Sequence, residues 1–293
     1  MEARQISYFL AVVEHGGFGR AASALQVAQP TLSQSVKALE RELGTELFHR
    51  ASPGVVLSAA GRALLGPARQ LMRDVAAARQ SVGARPEQAV VELVAAPPLG
   101  VHPGAALVGS FSTSRPDICV RLDRADVDDQ LAGRVRDGSS ELGLTYLPVE
   151  RLGLVEVELG AHELMLAFPP GTRLKPGPIP LAELTGVRLL GLPRGNWQRD
   201  LVETALRSAG VRTRLAMELA HRDMIVDLVL AGAGAAFIVD AAAPEAVARG
   251  AQVRAAQPAV RRSFGLVHRG APLSEPASAF LLHAESWSGR AAG

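Results

Sequence analysis

The stretch FGRAASALQVAQPTLSQSVKALERELG, residues 18–44, decides the N-terminal fold. Phe18, Ala22 and Leu25 give a short helix one apolar face, and Gln26-Val27-Ala28 makes a tight turn. A second helix follows, with Pro30 near its start, where a missing N–H does no harm. Leu32, Val36, Leu39 and Leu43, spaced by four, three and four, form its inner face, and Gly44 ends it. Two apolar-faced helices joined by a short turn form a helix–turn–helix, whose second helix enters the major groove. With the inner face assigned, Gln29, Thr31, Ser33, Gln34 and Lys37 point outward, and Gln29-Pro30 leads. Short hydroxyl and amide groups bond base edges, and a cation suits phosphate. Arg20 and Arg50 are further phosphate candidates.

Upstream, Ile6, Phe9, Leu10 and Val13 predict a helix over Arg4 to Glu14, stopped by His15-Gly16-Gly17. Downstream, Glu46 to Leu57 alternates loosely around Ser52-Pro53-Gly54 and reads as a two-stranded wing. Ser58 then caps a long helix reaching to about Gly83. Leu64, Ala68, Leu71, Val75, Ala78 and Val82 alternate by fours and threes, the seam of a dimerising coiled coil. An ordinary core helix would show the same stripe. Arg85-Pro86 ends it and marks a hinge.

From Glu87 onward, short apolar strands alternate with helices. The strands are Val90 to Ala95, Ile118 to Leu122, Leu142 to Tyr146, Glu163 to Phe168, Arg188 to Leu192, Arg214 to Leu219, Ala235 to Val239 and Ser263 to His268. Helices over Val127 to Arg136, Trp197 to Ala209 and Met224 to Ala231 lie between them, which predicts an α/β domain with mainly parallel sheets.

The net charge of the 293 residues is only +2, so nucleic-acid binding rests on local placement. Around the recognition helix, Glu40, Glu42 and Glu46 offset Arg20, Lys37, Arg41 and Arg50, and the acids are expected away from DNA or in a dimer contact. No secretory leader and no membrane-length apolar run is evident, so a cytoplasmic location is expected. The lone Cys119 excludes an internal disulfide and reads as a small buried hydrophobe. There is no nucleophile elbow, phosphate-cradling glycine loop or metal-ligand spacing, so neither catalysis nor a cofactor is expected.

Phe18, Arg20-Ala21-Ala22, Leu25, Val27, Gln29-Pro30, Leu32-Ser33, Leu39-Glu40, Leu43-Gly44, Leu47-Phe48, Arg50 and Leu57-Ser58-Ala59-Ala60-Gly61 resemble, in register, the N-terminal signature of LysR-type transcriptional regulators. The resemblance implies a winged helix–turn–helix over 1–60, a linker and dimerisation helix over 58–86, and an effector-binding domain over 87–293. That domain would resemble type 2 periplasmic binding proteins, with lobe I at about 87–160 and 263–293 and lobe II at about 161–262. The implied partners are a pseudo-palindromic double-stranded operator, a small-molecule effector, further copies in a dimer or tetramer, and RNA polymerase. A metabolite-binding module with weakened DNA binding is the alternative.

Gly19 stands where the family commonly has a helix-capping Ser or Thr, and Ala28 where a Ser precedes Gln-Pro. In the effector domain, the positions that match the family's ligand contacts are Pro97, Pro98, Leu99 and Gly100, then Tyr146, then Pro193, Arg194, Gly195, Asn196 and Trp197, then His221 and Arg222, and Phe237. Arg194 and Arg222 would supply charge for a small carboxylate, or else serve as surface or inter-lobe pairing groups. Pro98 removes a hydroxyl and an N–H from the first loop. Pro103-Gly104 predicts that the helix following it begins late.

Overall fold

The computed structural model describes residues 1–51, 54–81, 88–125, 128–149, 153–212, 215–220, 222–270 and 272–291. The wing tip Ser52-Pro53, the expected hinge at Arg85-Pro86, Val82 and His221 lie outside the described residues. The chain divides into two compact units. Unit 1 comprises Met1–Thr145, Val149–Val157 and Gly265–Gly293, and unit 2 comprises Tyr146–Pro148 and Glu158–Phe264.

Unit 1 opens with helices α1 (Ala3–His15), α2 (Phe18–Ala24) and α3 (Gln29–Leu43). α1 stops where Gly16 takes the left-handed conformation (φ 64°) and its N–H, with that of Gly17, bonds back to Val13 and Val12. Ala11, Val12, Ala21, Ala22, Leu32 and Val36 are buried together as the core of the three helices. Leu32, Val36 and Leu39 are completely buried, each worth about 1.5–3 kcal/mol relative to exposure. Leu43, expected on the same inner face, is instead 40% exposed because it lies in the final turn, beyond the core.

The wing strands β1 (Phe48–Arg50) and β2 (Val55–Leu57) pair antiparallel, with Phe48 opposite Leu57. Phe48 lies 5.4 Å from the Phe9 ring and 5.6 Å from that of Phe18, fixing the wing to the helical core. Ser58 turns the chain into α4 (Ala59–Ser81): its Oγ donates to Glu46 O (2.6 Å) and accepts from Gly61 N (2.9 Å). Gly61 is required here, because a Cβ would fall 2.2 Å from Leu47 O.

The apolar stripe of α4 is used differently from the expected seam. Leu65 and Ala68 are buried with Ile6, Phe9 and Leu10 of α1, and Leu64, Leu71 and Met72 pack on the same cluster. An apolar stripe fits the chain's own α1 as well as a second copy, so Ala68, at 2% exposure, is occupied within the chain. Val75 is half-buried and Ala78 exposed. Pro67 also interrupts the backbone bonding of α4 without ending the helix.

The rest of unit 1 is α/β: β3 (Ala89–Ala95), α5 (Pro97–Val101), α6 (Gly104–Ser114), β4 (Ile118–Arg124), α7 (Asp128–Arg136) and β5 (Leu142–Tyr146). β3 pairs parallel with both β4 and β5. α6 begins only at Gly104, as Pro103 predicts. Cys119 lies on β4 and is half-buried, more open than expected.

The chain enters unit 2 along β6 (Val155–Phe168), eight residues earlier than the strand predicted from Glu163. Then come β7 (Ile179–Pro180), β8 (Leu189–Gly191), α8 (Trp197–Ser208), β9 (Leu215–Glu218), α9 (Ile225–Leu230), β10 (Ala235–Val239), α10 (Ala243–Ala248) and β11 (Gln252–Gln257). β8 is parallel to β9 and β10, whereas β6 is antiparallel to β10 and β11, so this unit is mixed and not mainly parallel. Apolar layers cover its sheet, one built on Leu164, Leu166 and Phe237, another on Leu190, Ile225 and Ile238. The chain returns to unit 1 along β12 (Arg261–His268) and ends with α11 (Glu275–Ala291).

Candidate functional site

The outer face of α3 is available as expected. Gln29, Pro30, Thr31, Gln34 and Lys37 are exposed, and Ser33 is half-buried. Ala28 occupies the cap position without a side-chain bond to the helix, consistent with its missing hydroxyl. The cap of α2 is Gly17, which corrects the role expected for position 19: Gly19 is the second residue of the helix. A Cβ at Gly19 would lie 3.5 Å from Gln29 Oε1, an ordinary van der Waals contact, so the two residues are neighbours.

Arg20 has a different task from the one expected. Its Nε donates to His15 O (2.5 Å) and its Nη2 to Gly16 O (2.7 Å), so its guanidinium closes the C-terminus of α1. The side chain of Arg50, in β1, lies outside the described residues. The acidic group is partly structural. Glu40 Oε1 accepts from the N–H groups of Leu47 (2.8 Å) and Phe48 (3.4 Å), holding the wing against α3, and Glu42 pairs with the N-terminal ammonium.

In unit 1, α5 starts with Pro97 and Pro98, neither of which carries an N–H, and Leu99 is fully buried. The Gly100 N–H is already bonded to Ala96 O (2.9 Å). This loop therefore offers carbon surface and few donors.

The polar and aromatic groups collect in unit 2. Tyr146 is buried with its ring centroid 3.9 Å from that of Trp197, and its hydroxyl is 3.1 Å from His162 Nδ1. His162 in turn lies against Phe264 at 4.8 Å. Two guanidinium groups converge on the indole: Arg222 Cζ is 5.5 Å from the Trp197 centroid and Arg262 Cζ is 5.2 Å from it. Arg262 also lies 5.7 Å from the Tyr146 ring, and its Nε donates to Leu147 O (3.3 Å).

Arg222 is held by buried Gln198, whose Oε1 accepts from its Nη1 (2.8 Å) while Gln198 Nε2 donates to Phe237 O (2.7 Å). Asn196 caps α8 by accepting from Gln198 N (3.0 Å), and the turn before it needs Gly195 in the left-handed region (φ 82°). Of the expected contacts, Tyr146, Trp197 and Arg222 thus come together. Phe237 contributes its carbonyl, its ring being core, while Arg194 is exposed and Pro193 half-buried.

The sequence reading missed Arg262, His162 and Gln198. Arg262 and Phe264 are two apart on β12 and so share a strand face, a signal lost by starting that strand at Ser263. Among the described residues no group of three or more His, Cys, Asp or Glu side chains is placed to hold a metal ion, and no helix is long and apolar enough to cross a membrane.

Residues 3–62 match the model of the bacterial regulatory helix-turn-helix proteins of the lysR family, and residues 84–288 match that of the LysR substrate binding domain. A probable hydrogen peroxide-inducible genes activator of Mycobacterium avium is 32% identical over 89% of this chain and 86% of its own length. The regulator TcbR of Pseudomonas sp. (strain P51) is 32% identical over 81% of this chain and 82% of its own. Among solved structures, a variant of full-length OxyR from Pseudomonas aeruginosa superposes with a TM-score of 0.77 at 21% identity, covering 98% of this chain and 94% of the other. The regulator CbnR in complex with its target DNA gives 0.57 at 25% identity, covering 98% and 100%. The chain belongs to the LysR family, as a DNA-binding transcriptional regulator with a helix–turn–helix and an effector-binding domain.

Proposed function

We propose that this regulator reads a pseudo-palindromic operator through the exposed face of α3 and is switched by a small carboxylate held at the Trp197 cluster of unit 2. Gln29, Thr31, Ser33 and Gln34 contact base edges, and Lys37 contacts phosphate. Two copies present two such faces, and the half-buried Val75 of α4 lies on the stripe expected to meet the partner. The regulator works in the cytoplasm as a dimer or tetramer and in contact with RNA polymerase.

The observation that carries the effector reading is the convergence of Arg222 and Arg262 on one indole. Paired guanidinium groups bond both oxygens of a carboxylate, and the indole and phenol provide flat apolar surface beside it. Several relatives are named as peroxide-inducible activators. The single Cys119 allows no disulfide within this chain, so a switch based on one does not transfer.

The test has two arms. Footprinting on the DNA beside the chain's own gene gives a protected, two-fold symmetric site; no preference at moderate salt overturns the DNA-reading assignment. A thermal-shift screen of small aromatic and aliphatic carboxylates gives a stabilising ligand whose effect is lost in both Arg222→Met and Arg262→Met. A ligand equally effective on both variants overturns the effector assignment.

A further inference from the structure

Gly66, Arg69 and Arg73 follow one another by three and four residues, so they share one face of α4. That face meets the turn between α7 and β5. Gly66 is buried: a Cβ there would lie 2.9 Å from Arg136 O and 2.2 Å from an Arg269 guanidinium nitrogen. A Cβ at Gly138 would lie 3.3 Å from the Gly66 Cα, so two glycines permit a close backbone approach. Arg69 Nη1 donates to both Asp137 O (2.7 Å) and Asp137 Oδ1 (2.8 Å), and Arg73 Nη1 donates to Gly138 O (3.1 Å).

Beneath these bonds lies Glu141, whose side chain is 1% exposed and whose Oε1 is 3.4 Å from Arg73 Nε. That Nε is buried and makes no hydrogen bond, so the ion pair is formed without its best geometry. Glu141 also accepts from Ser274 N (3.0 Å) and Ser274 Oγ (2.7 Å), tying the contact to the start of α11. Desolvation, partly offset by Glu141, lowers the Arg73 pKa from its ordinary value. A buried charged group lacking one of its bonds carries an uncompensated desolvation cost, which lowers the cost of breaking this contact.

Both ends of this contact lead somewhere. The first half of α4 carries the wing through Ser58 and Gly61 and carries α1 through Leu65 and Ala68. Glu141 immediately precedes β5, whose last residue is Tyr146. We propose that Gly66, Arg69 and Arg73 and the 137–141 turn form a latch through which the effector-binding domain sets the angle of the DNA-binding end. Holding or releasing it changes how far apart two copies of α3 sit on DNA. The proposal rests on DNA reading through α3 and is independent of the effector's chemistry.

The test uses the full chain and DNA duplexes selected in vitro by the unmodified protein, with affinity and bend angle as readouts. Arg69→Asp and Asp137→Arg each change affinity at least about fivefold, or shift the bend. The double variant, in which the pair is reversed, returns both readouts toward the parent value. In a Cys119→Ser background, a short bismaleimide joining Arg69→Cys to Asp137→Cys fixes one bend angle, whereas the same variant without the linker varies with salt. Single variants that bind and bend DNA as the parent does, or a reversed pair that rescues nothing although its melting temperature is unchanged, overturn the latch. A parent protein that selects no sequence overturns DNA reading itself, and the latch with it.

Discussion

The Glu40 carboxylate accepts a 2.8 Å hydrogen bond from the backbone N–H of Leu47, so the C-terminal half of α3 holds the start of the wing. Glu40→Ala leaves that N–H and the one at Phe48 without their acceptor. The expected cost is about 1–3 kcal/mol, seen as an earlier first transition in urea. Glu40→Gln keeps an acceptor oxygen and loses less. Equal midpoints for Glu40→Ala and the parent would show that the contact does not stabilise the domain.

Gln26 occupies the turn between α2 and α3 at φ 55°, a region that β-branched side chains avoid. Gln26→Val is expected to destabilise the N-terminal domain by about 1–2 kcal/mol, and Gln26→Gly to leave it unchanged or raise it slightly. Thermal melts of the three proteins decide this, and a Val variant as stable as the parent would contradict the turn geometry.

The exposed face of α3 predicts two distinct defects. Gln29→Ala relaxes the preference at one base pair and costs about 1–3 kcal/mol against the best site. Lys37→Ala weakens all sequences alike and makes the salt slope shallower. Gly19→Ser places a hydroxyl beside Gln29 Oε1 and is expected to change base preference more than overall affinity. Titrations at several salt concentrations on matched and mismatched duplexes separate these cases.

Burial depresses the pKa of His268 below its ordinary value of 6.5, and its Nδ1 accepts from Gly270 N (3.3 Å), a bond only the neutral ring can accept. The unfolded chain therefore binds this proton more readily than the folded one. The stabilisation is fully present above pH 6.5 and is lost as pH falls through the depressed folded value. His268→Gln should flatten the loss of melting temperature on that acid limb. An unchanged limb would assign the loss to other groups.

The recognition helix was legible because its signals are local: Leu32, Val36 and Leu39 repeat at the helical period, and whatever is left faces outward. α8 and β5 were readable for the same reason. β11 was not, since Gln-Val-Arg-Ala-Ala-Gln has no apolar run and its strand exists by pairing with β6. Arg20 and Ala68 show the opposite limit. Residue type suggested a phosphate contact and a dimer seam, but the nearest partners, the end of α1 and its apolar face, lie within the same chain. The Trp197 cluster was half readable. Its members on loops and helix starts stood out, whereas Arg262 and His162 sit within strands whose limits depend on neighbours remote in sequence.

The half-buried position of Cys119 on β4 has a practical side. As the sole sulfhydryl of the chain, it directs a maleimide dye to one known address per copy with no prior engineering. Mixing donor-tagged and acceptor-tagged batches would then turn subunit exchange into a colour change, and the number of copies per particle into a ratio of intensities.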